Sequence, residues 1–178
     1  MNDGPTFIDL FCGAGGFSLG FVKAGFKHVL GVDNWNTVCE TYQANIGNAV
    51  CQDLRIFDGK PFVGKIDVVI GSPPCQTFSS ANTKTRECNT ELCDEFMRIV
   101  NEVKPKVWIM ENVPECIDYV QAPFKEVFYA GDFGVLQGRE RAFFSNIKLK
   151  PDKIGQKYLD TEQSAKQLCL KSQQSMLG

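Results

Sequence analysis

At 178 residues, with 43% hydrophobic and 22% charged residues, the chain has the composition of one globular domain large enough to bury a core. No window approaches 18 consecutive apolar residues and no basic, apolar leader precedes Thr6, so neither a membrane span nor a secretory signal is expected, and the chain reads as intracellular, cytoplasmic or nuclear. A net charge of −2 makes no global electrostatic case for nucleic acid, and eight cysteines without a Cys-x-x-Cys pair read as free thiols rather than a disulfide framework or a metal site.

In chain order, Thr6–Phe11 reads as a first strand, followed at once by the glycine turn Cys12-Gly13-Ala14-Gly15-Gly16 and a helix from Phe17 that Gly25 ends. Strand, glycine turn and helix form the opening unit of a cofactor-binding α/β fold. The dinucleotide fingerprint would need glycine at position 18, which is Ser18, so the hydride-transfer form of that unit is weakened. Val29–Val32 is a second strand with Asp33 at its tip, where such folds place the acid that binds a ribose diol. Trp35 is a purine-stacking ring or, equally, a core or surface aromatic. A helix through Cys39–Asn45 and a short apolar piece, Ala49-Val50-Cys51, lead to Asp53-Leu54, where Asp53 is a cap, a loop acid or a ligand.

Ile66–Ile70 is a buried strand, and Gly71-Ser72-Pro73-Pro74 leaves it stiffly to present Cys75. On local grounds Cys75 is equally a buried packing residue or a nucleophile. The polar segment from Ser80 to Thr90 has no periodicity and reads as a mobile loop. Leu92, Phe96, Ile99, Val100 and Val103 recur at helical spacing up to Pro105, and Val107–Met110 then delivers Glu111 at a strand tip, as a structural or a catalytic acid. Arg139 and Arg141 alternate and would project from one strand face, suiting an anion, a carbonyl-bearing base or plain solvent. Since His28 is the only histidine, acid–base work falls to carboxylates, thiols, lysines or water. Residues 1–147 form the expected catalytic unit, and the lysine-rich stretch 148–178 a solvated polar tail.

Taken together, Asp9-Leu10-Phe11-Cys12-Gly13-Ala14-Gly15-Gly16-Phe17, Pro73-Pro74-Cys75-Gln76, Glu111-Asn112-Val113 and Gln137-x-Arg139-x-Arg141 resemble the ordered motifs of the cytosine-C5 DNA methyltransferases, over residues 6 to 147. The resemblance implies a Rossmann-like α/β fold, a mostly parallel sheet with helices on both faces, and S-adenosyl-L-methionine as cofactor. By the same resemblance, Phe11, Gly13, Ala14 and Gly16 match the loop that cradles its methionine part, Asp33 the ribose acid, and Asp53 with Leu54 the adenine-reading pair. Gly71, Pro73 and Leu92 match cofactor-lining positions, and Asn34 the adenine-stacking position, one before Trp35. Cys75 matches the nucleophile, Glu111 the group on cytosine N3, and Arg141, supported by Arg139, the contact near O2 of a cytosine flipped out of DNA.

Departures accompany the likeness. The family's target-recognition domain and closing Asn motif are not evident in 148–178, which makes a second chain supplying target recognition a possible partner. Gly47-Asn48-Ala49-Val50 has that motif's letters in the wrong place, Gly138 fills a position often held by Arg, and the segment from Val113 to Asp132 is short enough to cost a helix or strand. No metal and no membrane partner is expected. The alternatives to a DNA methyltransferase are a non-catalytic cofactor-binding module and a tRNA cytosine-C5 methyltransferase.

Overall fold

The structure is a computed structural model that describes residues 4–74 and 90–150. Cys75, with the polar segment through Asn89, and residues after Lys150 lie outside the described residues.

Seven strands form one sheet. β1 is Thr6–Leu10, β2 Lys27–Asp33, β3 Ala49–Cys51, β4 Val68–Gly71, β5 Val107–Asn112, β6 Phe124–Tyr129 and β7 Glu140–Ser145. Their spatial order is β3-β2-β1-β4-β5-β7-β6. The first five pair in parallel, and β7 runs antiparallel to both β5 and β6. The order reverses between β1 and β4, the place where open α/β sheets collect ligands at the carboxyl ends of their strands.

Helices cover both faces. α1 (Gly16–Lys23) and α2 (Asn36–Asn45) share one, because Tyr42 on α2 is hydrogen-bonded to Ser18 on α1 and packs on His28 of β2. α3 (Glu91–Val103) covers the other. It buries Leu92, Cys93, Phe96, Ile99, Val100 and Val103 at three- and four-residue spacing, each large side chain worth roughly 1.5–3 kcal/mol on removal from water. Glu91 and Asp94 occupy its first turn, which suits the helix dipole, and Lys104 in a left-handed conformation before Pro105 ends it. The larger core lies on this side and includes Ile8, Leu10, Val32, Val69, Met110 and Phe144.

The stretch after Val113 carries strand β6 but no α-helix among the described residues. Among the described residues no α-helix joins β5 to β6; a single 3-10 turn, Pro114–Cys116, and buried Cys116 and Val120 take that place on the α3 face. On the opposite face, beyond α1, the sheet is open. Phe17, Phe21, Phe26, Val107, Ile109 and Ile147 line an apolar groove of about 540 Å³ there. No helix among the described residues is long and apolar enough to cross a membrane.

Candidate functional site

The glycine turn rises directly from β1. Phe11 takes a left-handed φ of 56°, uncommon for a bulky side chain, and Gly13 and Gly15 follow at 53° and 93°. The turn is fastened to the next strand: Cys12 N–H donates to Val32 O at 3.1 Å, and Gly13 N–H donates to Asp33 Oδ2 at 3.0 Å. The other carboxylate oxygen of Asp33 accepts Trp35 N–H at 3.1 Å. Asp33 therefore bridges the turn to its own strand tip. A Cβ on Gly13 or Gly16 would meet no atom within 4 Å, so the space above the turn is open. Ala14 is exposed beside it.

Beneath the turn lies a polar chain to which the sequence reading assigned no role. Tyr42 OH donates to Ser18 Oγ, which donates to Asp9 Oδ2 at 2.6 Å, tying α2, α1 and β1. Asp9 is 1% exposed, and its Oδ1 has no hydrogen-bond partner among the described residues. Burial pushes this carboxyl up to about 7, against the smaller lowering effect of the Ser18 hydrogen bond.

At the centre of the sheet, Gly71 closes β4. A Cβ there would stand 2.5 Å from the Leu10 carbonyl oxygen and 2.8 Å from the Phe96 ring, so packing alone requires glycine. Ser72 N–H then donates to Leu10 O, and the Asn112 amide donates to Pro73 O at 3.1 Å. Asn112 is buried, and its Oδ1 accepts Val113 N–H. Ser72 and Pro73, on the way to Cys75, are thus pinned to the tips of β1 and β5. Asn112 is a second residue without an assigned role; its partner is 39 residues away, and no local pattern signals it.

Glu111, one residue earlier on β5, has a side chain 17% exposed. Arg141 Nε lies 2.9 Å from its Oε1, and Arg139 approaches the same oxygen at 3.9 Å. Both guanidiniums reach one carboxylate, as the alternation of 139 and 141 predicts, although only Arg141 belongs to β7. With Gly16, Phe17 and Ser72 they line a cleft of about 720 Å³ whose remaining wall is aromatic, including Phe128 and Phe143. Among the described residues no group of three or more His, Cys, Asp or Glu side chains is placed to hold a metal ion.

The residues expected on the adenosine side fall on the neighbouring rim. Trp35 is 65% exposed, so the core alternative for it does not hold, and exposed Asn34 stands beside it. Asp53 acts as a turn cap here: its Oδ1 accepts Arg55 N–H at 2.9 Å and its Oδ2 pairs with the Arg55 guanidinium at 3.1 Å. Those contacts, the backbone hydrogen bond first, hold its carboxyl below the ordinary value. Leu54 is 2% exposed with its side chain in the larger core, and Arg98 on α3 fixes its carbonyl at 2.7 Å. Leu92 is likewise buried on the first turn of α3. The structure thus gathers Gly16, Glu111, Arg139 and Arg141 in one cleft and Gly13, Asp33, Asn34 and Trp35 at the adjoining strand tip. Leu54 and Leu92 point their side chains into the core.

Known proteins resemble this chain in sequence and fold. A family profile described as C-5 cytosine-specific DNA methylase matches residues 5–122. The type II methyltransferase M1.HphI of Haemophilus parahaemolyticus is 38% identical over 170 residues, which cover 80% of this chain and 46% of that protein. M.HgiGI of Herpetosiphon aurantiacus, also a type II methyltransferase, is 42% identical over 111 residues, 60% of this chain and 88% of that one. Among solved structures, a DNA modification methyltransferase encoded within an E. coli prophage matches at 28% identity with a TM-score of 0.67, over 79% of this chain and 46% of its own. S. pombe Dnmt2 shares the fold, with a TM-score of 0.60 at 17% identity over 83% of this chain and 51% of its own. The chain spans less than half the length of M1.HphI and of the related M.DdeI.

Proposed function

The chain belongs to the C-5 cytosine-specific DNA methylases, and from that premise we propose that it carries the catalytic half of an enzyme that moves a methyl group from S-adenosyl-L-methionine to C5 of cytosine in DNA. The observation that carries the reading is Glu111, held at the tip of β5 between Arg141 and Arg139 in the cleft that begins at the glycine turn.

The residues fit an adenosyl donor. Open space stands over Gly13 and Gly16, Asp33 lies at the tip of β2, and Trp35 offers an exposed ring beside Asn34. Phe11, Gly13, Ala14 and Gly16 would cradle the amino-acid end, with Gly71, Pro73 and Leu92 as the supporting wall. Asp33 would take the ribose hydroxyls, and Asp53, with the backbone of Leu54, the adenine. When bound, the cofactor supplies an electrophilic methyl group.

The pyrimidine is prepared by this chain's own groups. Cytosine C5 is a poor nucleophile until C6 accepts an electron pair. The Cys75 thiolate supplies that pair, forming a sulfur–C6 bond and an enamine at C5. A proton shared between Glu111 and N3, and Arg141 donating to O2, take up the negative charge that enters the ring. After C5 is substituted, its proton leaves to solvent, the sulfur–C6 bond breaks and the aromatic ring returns. C6 is out of reach inside a duplex, so the base must be flipped out of the stack. Selection of the DNA target falls to sequence beyond the matched half, whether on the same polypeptide or on a second one.

The test is a covalent trap. Wild-type chain, S-adenosylmethionine and DNA bearing 5-fluorocytosine, whose C5 fluorine cannot leave as a proton, should give a protein–DNA adduct that Cys75→Ser abolishes. Cofactor binding with no adduct, even when a target-recognition chain is supplied, sinks the catalytic reading in favour of a binding module. An adduct with tRNA and none with DNA moves the substrate.

A further inference from the structure

Behind the Asp33 turn, on α2 and edge strand β3, stand two cysteines that the proposed chemistry leaves unused. Cys39 on α2 is buried, and Cys51, at the end of edge strand β3, is exposed. The Cys39 thiol donates to Asp33 O at 3.5 Å and reaches Val50 O at 3.7 Å. That carbonyl is three bonds from the Cα of Cys51, and Cys51 is itself the register partner of Asp33. The Cys39 sulfur therefore stands beside the main chain that enters Cys51, and burial above all pushes the Cys39 thiol up to about 11. With no third ligand among the described residues, the pair suits oxidation better than a metal ion.

We propose that Cys51 and Cys39 form a dithiol modification site, oxidised by hydroperoxides to an intramolecular disulfide that loosens the Asp33 turn. The order of steps follows from accessibility. The exposed Cys51 thiolate attacks the peroxide, the O–O bond breaks, water leaves and a sulfenic acid remains. Cys39 sulfur then attacks Cys51 sulfur, the S–O bond breaks, a second water leaves and the disulfide forms. Two thiols are oxidised and one peroxide is reduced.

The link reaches the turn through named contacts. Drawing the Cys39 sulfur towards β3 removes its hydrogen bond to Asp33 O, and Cys39 N–H is bonded to Trp35 O at 3.1 Å, so Trp35 shifts with it. Asp33 and Trp35 carry the adenosine end of the cofactor reading above, on which the affinity arm of the test rests; the mass arm does not.

Lys27 and Arg55 bracket both cysteines with no lysine or arginine between them, so one tryptic peptide, residues 28–55, reports the bond. The folded wild-type chain is treated briefly with hydrogen peroxide, alkylated and digested. The expected peptide is lighter by two hydrogens and takes no alkyl label, dithiothreitol reverses both changes, and Cys51→Ser or Cys39→Ser prevents them. S-adenosylhomocysteine affinity of the oxidised wild type, measured by calorimetry, should fall roughly tenfold, and that of Cys51→Ser should not change. Two alkylated cysteines in the wild-type peptide overturn the site, and a disulfide that leaves affinity unchanged overturns its effect on the turn. Should the reduced wild type bind no S-adenosylhomocysteine, the cofactor reading fails while the disulfide is still scored by mass.

Discussion

Asp33 and Glu111 are two acids at strand tips on either side of β1 and β4, held in opposite ways. Asp33 is fixed by main-chain donors, Gly13 N–H and Trp35 N–H, which no side-chain substitution deletes directly. Glu111 is fixed by two guanidiniums that a single substitution removes. The contrast extends to their surroundings. The β1–β2 side is backed by α1 and α2 and by the closed Tyr42–Ser18–Asp9 chain, whereas beyond α1 the β5–β7 side stands over an open apolar groove. Under the proposed roles, backbone donors suit a pocket that always takes the same cofactor, and side-chain partners suit a site that binds a base.

The largest effect is expected at the seam between the two sides. Gly71→Val puts a side chain against the Leu10 carbonyl, an atom that cannot step aside, and should cost at least about 3 kcal/mol in urea unfolding. A loss much smaller than this would mean that the two sides are not rigidly joined.

On the first side, Asp9 links stability to pH. Its folded value is raised by burial from an ordinary 3.8 to about 7, so between those values the folded state holds the extra proton. Its contribution is complete below about 4 and lost as pH rises to about 7, at up to about 1.4 kcal/mol per pH unit. Asp67, held down at about 2 first by its Lys106 hydrogen bond, changes stability in the opposite sense at lower pH. The difference between wild type and Asp9→Asn isolates the first effect. Equal pH dependence in the two proteins would show that Asp9 is not buried as described.

Asn112→Ala probes the joint itself, leaving Pro73 O and Val113 N–H without their partner at a cost of about 1–3 kcal/mol. The midpoint of a denaturant titration reads it, and adduct yield with 5-fluorocytosine DNA should fall with it because Pro73 and Pro74 lead to Cys75. On the second side, Arg141→Ala should slow trapping by roughly 10- to 100-fold, and Arg139→Ala, farther from Glu111 and more exposed, by less than about threefold. Equal losses would mean that the two guanidiniums share one role.

Much of this was legible in the chain. The apolar runs of β1 and β4 are buried strands apart from Thr6, the run of β5 is a strand with every second residue buried, and the glycine turn and the alternating arginines carry strong local signals. β6 was not legible: Phe-Lys-Glu-Val-Phe-Tyr lies at a sheet edge where neither face is closed, so no two-residue alternation survives. Asp9 and Asn112 look like incidental letters inside motifs, because what defines them is a partner brought close only by the fold. Asp53 was readable as a cap or as a ligand, and the structure shows its cap contacts while the ligand role stays a proposal.

The direct passage from β5 to β6 also bears on the order in which the sheet assembles. Tyr129 and Glu140 pair across a short connection, and β7 then closes on β5, whereas Thr6 must find Asp67 across 61 residues. Loop-closure entropy favours the antiparallel hairpin as the first long-lived contact, with the glycine turn gaining its floor only when β1 joins β4. Pulsed hydrogen exchange during refolding should therefore protect Val127 and Phe143 before Ile8 and Leu10. The side proposed to bind the base would be born first, and the side proposed to house the donor would complete it.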